Sequence, residues 1–230
     1  METLANVLRL VSFLFLICTL RVNGRDDDPR VTTSLGELVG SLVQVNDTES
    51  NSLIDVKQFL AVPFAKPPLG NLRFRKPEAV EAWTEPFQCK DMPNACVQYM
   101  AYPFPWAMSP HDPHISEDCL YLNIWVPSDA SPQNKKQVFF FIHGGGFFTG
   151  SIRQPIYDGR ALAGLGDVIV VTTNYRLGTL GFWSNNGIDA PGNVARLQST
   201  TNDMVQITPS RKSTRIRSGD LDGQLLENDG

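Results

Sequence analysis

Three glycines behind a histidine, His143-Gly144-Gly145-Gly146-Phe147, carry the strongest chemical signal in this sequence, because they directly follow the apolar run Val138 to Ile142 (VFFFI). A glycine run leaving a buried strand exposes consecutive backbone N–H groups with no side chains in the way. Such donors can stabilise the oxyanion of a tetrahedral acyl-transfer intermediate. A flexible turn and a phosphate cradle are the other structures that such a run builds. The histidines are His111, His114 and His143. With Asp112, the first two offer two imidazoles and one carboxylate, too few donors for a structural metal site, so no metal is expected. No Gly-x-Ser-x-Gly occurs in the 230 residues, so a nucleophile of that type is not visible either.

The elements around the glycine run read as an α/β sheet. Val138 to Ile142 and Val168 to Thr173 (VIVVTT) are short, continuously apolar runs, which suit central strands covered on both faces. Leu120 to Val126 (LYLNIWV) is a further strand, and Tyr157 to Leu165 reads as a short helix between the two apolar runs. Strand, loop, helix and strand in that order is α/β grammar. Earlier, Glu37 to Val45 and Asp55 to Val62 read as two strands joined by a polar connection. Pro86 to Ile115 shows no periodicity and reads as loop.

Composition and charge set the surroundings. Hydrophobic residues make up 42% and charged residues 19%, which describes a globular chain. A formal net charge of −4 with no block of like charge argues against a nucleic-acid partner. Residues 1–24 read as a secretory signal: Arg9 is the positive start, Leu10 to Leu20 the apolar run, and Val22 and Gly24 the small residues before cleavage. That run is shorter than the ~20 residues a membrane span needs, so secretion without a span is expected. Of the cysteines left after cleavage, Cys89, Cys96 and Cys119, two can pair, and the sequence alone leaves all three pairings open. Asn46-Asp47-Thr48 is a glycosylation sequon in a polar stretch. Residues 196–230 lack any aromatic side chain and mix Ser, Thr, Asp and Arg, the composition of a disordered tail.

Several segments resemble one known family. They are Phe59-Leu60-Ala61-Val62-Pro63-Phe64-Ala65-Lys66-Pro67-Pro68-Leu69-Gly70, then Leu72-Arg73-Phe74, Pro77 and Trp83. Ser116-Glu117-Asp118-Cys119-Leu120-Tyr121-Leu122-Asn123-Ile124 and the HGGGF loop come next, followed by Asn174-Tyr175-Arg176-Leu177-Gly178, Gly181-Phe182 and Ala190-Pro191-Gly192-Asn193-Val194-Ala195. In this order they resemble the type-B carboxylesterases, which include cholinesterases, juvenile-hormone esterases and the non-catalytic neuroligins. The resemblance implies an α/β-hydrolase fold over residues 25–195, acting on a small-molecule carboxylic ester without a cofactor. It makes Gly145 and Gly146 oxyanion-hole donors within a loop that also holds His143 and Gly144. It pairs Cys96 with Cys119 around one wall of the active-site gorge, a closure worth roughly 3 kcal/mol. Cys89 is then the odd thiol. It also implies a salt bridge between Arg73 and Glu117, and a carboxylate partner for Arg176 further along the family sequence.

Two departures qualify what the resemblance implies. The tryptophan that cholinesterases hold over a quaternary ammonium by cation–π attraction is replaced by Ser109, with Trp106 nearby, which argues against a choline substrate. The family's nucleophile elbow, triad acid and triad histidine have no counterpart here. His143 belongs to the oxyanion loop, and His111 and His114 fall in the gorge wall, where no general base is wanted. The expectation is an esterase truncated before its nucleophile and inactive as this chain, with Val138 to Ile142 left without one of the two strands that flank it in the family's sheet. A non-catalytic adhesion or binding protein is the alternative.

Overall fold

β-Branched and aromatic residues crowd two segments, Ser52–Pro63 and Tyr121–Pro127, and these form the centre of the structure. It is a computed structural model that describes residues 28–98 and 114–195. The strands are β1 (Arg30–Thr32), β2 (Glu37–Val39), β3 (Ser41–Asp47), β4 (Ser52–Pro63), β5 (Phe87–Gln88), β6 (Ala95–Cys96) and β7 (Ile115–Ser116). They continue with β8 (Tyr121–Pro127), β9 (Val138–Ile142), β10 (Ile169–Thr173), β11 (Ser184–Gly187) and β12 (Ala190–Pro191). Two short helices, α1 (Arg160–Gly166) and α2 (Gly178–Phe182), flank β10 in the chain. The main sheet has the order β3-β4-β8-β10-β9, antiparallel as far as β10, with β9 joining β10 in parallel.

Alternation along β8 divides the core into two faces. Ile124 and Val126 pack with Leu38, Phe59, Val62 and Val171. Trp125 points the other way, into Val45, Val56, Leu60, Val170 and Ala163 of α1. Its indole N–H donates to Gln58 Oε1 at 2.9 Å, so the largest buried side chain leaves no orphan donor. In β4 a bulge between Phe59 and Val62 puts two side chains three residues apart on one face. Ala61 takes a left-handed φ of 54° there, and its N–H donates to Asn123 Oδ1.

Two sequence expectations change. Glu37 to Val45 is two strands in two different sheets, broken at Gly40. A Cβ on Gly40 would lie 2.3 Å from Gln58 O, so the backbones meet where only glycine fits. The expected helix from Tyr157 to Leu165 is a 3-10 turn at Pro155–Tyr157 followed by α1. Extended Asp158 separates them, and Gly159 lies so close to Trp125 that a Cβ would sit 2.6 Å from the indole. By composition alone the VFFFI run suits the centre of the sheet, whereas the resemblance expects one side of it unpaired; it is an edge. Among the described residues β9 pairs with β10 alone, and Val138, Phe139 and Ile142 are each more than two-fifths exposed.

Other expectations locate elements more loosely than the structure does. The strand beginning at Asp55 extends back to Ser52, and the loop-like Pro86 to Ile115 contains β5, β6 and the first residue of β7. Residues 1–24, Trp106, Ser109, His111, Asp112 and 196–230 lie outside the described residues. No helix among the described residues is long and apolar enough to cross a membrane.

Candidate active site

The parallel pair β9 and β10 ends in register, Ile142 beside Thr173, so both following loops leave from the same rim of the sheet. Carboxyl ends of parallel strands are where α/β sheets place their ligands. The first loop turns sharply: φ is 127° at Gly145, 61° at Gly146 and 64° at Phe147. A Cβ on Gly145 would lie 2.0 Å from Thr149 O, and one on Gly146 would lie 2.6 Å from the Phe148 ring. Gly144 has open space instead. The turn is closed by Thr149 N–H donating to Gly145 O at 3.1 Å and by Gly178 N–H donating to Phe147 O at 2.7 Å. The N–H groups of Gly145 and Gly146 donate to no acceptor among the described residues. Two adjacent donors thus lie without an acceptor there.

His143 anchors the start of this loop from within the core. Its ring is stacked on Tyr175 at 4.6 Å, and the Tyr175 hydroxyl donates to His143 O at 3.0 Å. Nδ1 lies 3.0 Å from Gly144 O, which can only accept, so Nδ1 carries the proton and Nε2 a buried, unpartnered lone pair. Burial pushes the imidazole below its ordinary pKa, partly opposed by that hydrogen bond. The ring is therefore a neutral prop, closed off from any substrate proton. Stability should follow: as pH falls through about 6.5, unfolded His143 gains a proton that the folded ring resists. The unfolded state then binds more protons, and stability is lost on acidification. Melting curves at about pH 7.5 and 5.5, above the carboxylate range, should show a fall that His143→Gln flattens. Equal slopes in both proteins would remove His143 as the cause.

Beside the loop stands the disulfide wall. Cys96 and Cys119 are bonded, S–S 2.01 Å, and β6 lies parallel to β7 within that ring. The Arg73 guanidinium forks onto Glu117 through two hydrogen bonds of 2.6 Å, a planar bidentate pair that raises the arginine's pKa. Arg73, Phe74, Cys96, Cys119, Arg176 and Leu177 line a shallow, open cleft. Arg176 is buried and donates to Arg75 O and Val194 O, while its Nε and second terminal nitrogen find no acceptor among the described residues. Among the described residues no carboxylate pairs with it, and burial pushes its pKa down to about 10, still charged at neutral pH. Cys89 is buried in the sheet core, its thiol pushed up to about 12 and so unreactive.

Two side-chain amides tie loop and wall together. Gln98 Nε2 donates to Cys96 O and Gly150 O, both at 2.9 Å, and its Oε1 accepts from Thr149 Oγ1 at 3.0 Å and Gly150 N at 2.8 Å. Asn174 Nδ2 donates to Asn94 O at 2.9 Å and Cys119 O at 3.2 Å, and its Oδ1 accepts from Ile152 N at 3.1 Å. Gln98 carries no signal in the sequence beyond standing two residues after a cysteine, and Asn174 stands out only as part of a matching segment.

Comparison with known proteins fits this arrangement. A model of the carboxylesterase family matches residues 27–200, which span the glycine loop, the disulfide and both amides. The chain belongs to the carboxylesterase family. It is similar to acetylcholinesterase of Electrophorus electricus, 40% identical over 202 residues that cover 86% of this chain and 31% of that protein. Acetylcholinesterase of Danio rerio is 42% identical over 191 residues, covering 80% of this chain and 28% of that protein. Cocaine esterase of Oryctolagus cuniculus is 43% identical over 169 residues, covering 72% and 31%. The chain thus spans about a third of the length of these relatives.

Membership of the carboxylesterase family implies an α/β-hydrolase fold, of which the described residues form a strand-rich portion of the sheet with two short helices. The remaining sequence-derived residues of this family member lie apart from the loop. Asn46 is exposed on β3, the opposite edge of the sheet from β9. His114 stands just before β7, its carbonyl accepting from Ala95 N. Among the described residues no three metal-ligating side chains cluster.

Proposed function

We propose that this chain carries the carbonyl-polarising half of a serine-type carboxylesterase site. Gly145 and Gly146 would donate to the carbonyl oxygen of a small carboxylic ester, and more strongly once attack turns that oxygen into an oxyanion. The observation that carries this reading is the pair of adjacent, unused N–H groups at the carboxyl end of a parallel strand. Donors fixed in advance cost no reorganisation during reaction, and losing one such donor costs about 10²–10³ in rate. The names of its relatives, acetylcholinesterase and cocaine esterase, point to the same substrate class. Ser109 makes an ester without a quaternary ammonium the better fit. We read the chain as secreted, with Asn46 as its glycosylation site and no cofactor required.

The 230 residues contain no Gly-x-Ser-x-Gly, and the buried, neutral His143 cannot serve as a base. The purified chain should therefore hydrolyse short-chain aryl esters no faster than background. Turnover abolished by an organophosphate that labels a serine would overturn that inference. Joining the downstream part of the electric-eel relative after Ala195 tests the polarising role itself. Such a chimera should hydrolyse aryl esters, and Gly146→Ala, strained at its left-handed φ, should lower its rate by at least about tenfold. A chimera with undiminished activity in Gly146→Ala would remove the loop from the reaction. Binding without turnover is a second reading, favoured by the exposed aromatic side chains Phe147, Phe182 and Trp183, with half-buried Phe74 against Trp183.

A further inference from the structure

We propose that Gln98 and Asn174 are positioning residues that staple the exit of the glycine loop, residues 149–152, to the backbone carbonyls of both disulfide-linked cysteines. The purpose of this clamp rests on the oxyanion reading of the loop, but its geometry does not. A primary amide has two N–H donors and two acceptor lone pairs, and Gln98 uses all four. It pairs with both the N–H and the C=O of Gly150, as a residue of a neighbouring strand would. On the other side of the disulfide, buried Asn174 bridges Cys119 O to Ile152 N. The connection continues inward, because Thr149, whose hydroxyl is held by Gln98, donates its N–H to Gly145 O. A wall built from β6, β7 and the disulfide thus sets the directions in which the Gly145 and Gly146 N–H groups point. A glycine run with positive φ has no side chains with which to hold itself, so the aiming has to come from outside the loop.

The test is ¹⁵N relaxation of the Gly145 and Gly146 amides in the full 230-residue chain, in dilute solution. In the parent protein both amides should show the order parameters of rigid backbone, about 0.85, at acid and at neutral pH. Gln98→Leu, close in shape and without hydrogen bonds, should drop both below about 0.6 while Ile124 and Trp125 in β8 stay rigid. Gln98→Glu supplies a sharper readout. Protonated, its carboxyl can donate to Cys96 O or Gly150 O and accept from Gly150 N; ionised, it faces those two carbonyls with no proton. The carbonyls also hold its pKa above the ordinary carboxyl range. Gln98→Glu should therefore match the parent near pH 4.5 and match Gln98→Leu near pH 7.5, a rescue that mere packing would not produce. Rigid Gly145 and Gly146 in Gln98→Leu, or a pH-independent Gln98→Glu, overturns the proposal. If Gln98→Leu also loosens Ile124 and Trp125, the pH split in Gln98→Glu decides alone. A clamp that behaves this way beside an inactive chimera would sink the oxyanion reading and leave the clamp standing.

Discussion

Replacing Cys96 and Cys119 together by alanine should lower the thermal midpoint by about 10 °C. The bond spans a sequence separation of 23, and opening a ring of that size returns roughly 3 kcal/mol of chain entropy to the unfolded state. For a chain of this length each kcal/mol moves the midpoint by about 2–4 °C. Both sulfurs are also packed in a core cluster with Ala65, Leu120, Tyr175 and Leu177, so the smaller side chains leave that cluster underfilled. Circular dichroism melts of the oxidised parent and the double variant measure the difference. A shift below about 3 °C would mean that the Arg73–Glu117 fork and the two amides already hold the wall without the bond.

The second large effect is self-association. In β9, one row of backbone N–H and C=O groups has no partner among the described residues, and Phe139 and Ile142 are nearly half exposed beside it. A flat apolar edge is a template for pairing with another chain. Leaving each large apolar side chain in water forgoes about 1.5–3 kcal/mol, so a few of them are comparable to the 5–15 kcal/mol that holds a domain together. Expressed alone, the chain should secrete poorly and elute above the mass of a monomer, increasingly so with concentration. Lysine at Phe139 or Ile142 should shift it back toward the monomer, as charge does on natural edge strands. A soluble monomer of the parent with a single sharp transition would show that this sheet stands by itself.

What the sequence disclosed depended on how far apart the deciding atoms lie in the chain. The bounds of β9 are plain in VFFFI, because composition and length are local. Its place at an edge is not plain in those five residues, because an apolar run records a capacity for burial and not which neighbours are present; only the resemblance pointed to an unpaired side. The glycine loop is legible for the same local reason. His143 is legible as part of that loop, but its stacking on Tyr175 comes from a residue 32 positions away. Gly40 looks like any glycine in a strand until Gln58 O and the Phe59 ring are seen against it. The residues alone allowed three cysteine pairings; the resemblance narrowed them to Cys96 with Cys119, which the structure joins. Gln98 escaped altogether, since a polar residue after a cysteine resembles many others until its four hydrogen bonds are drawn.

The three glycines look alike on paper, yet a saturation library across positions 143–147 should treat them as different letters. Gly144 has no left-handed φ and faces open space, so most small residues should be admitted there, and selection should leave that position varied. Gly145 should tolerate nothing, because any Cβ strikes Thr149 O and its φ of 127° excludes L-residues. Gly146 should admit at most the substitutions that tolerate left-handed backbone, asparagine first. Phe147, already a bulky residue at φ 64°, is the one place where adding a glycine should relieve strain. The surviving clones would then spell a free position, an obligatory glycine and a third position held by glycine or asparagine, and a four-glycine variant would be among its better-folded members.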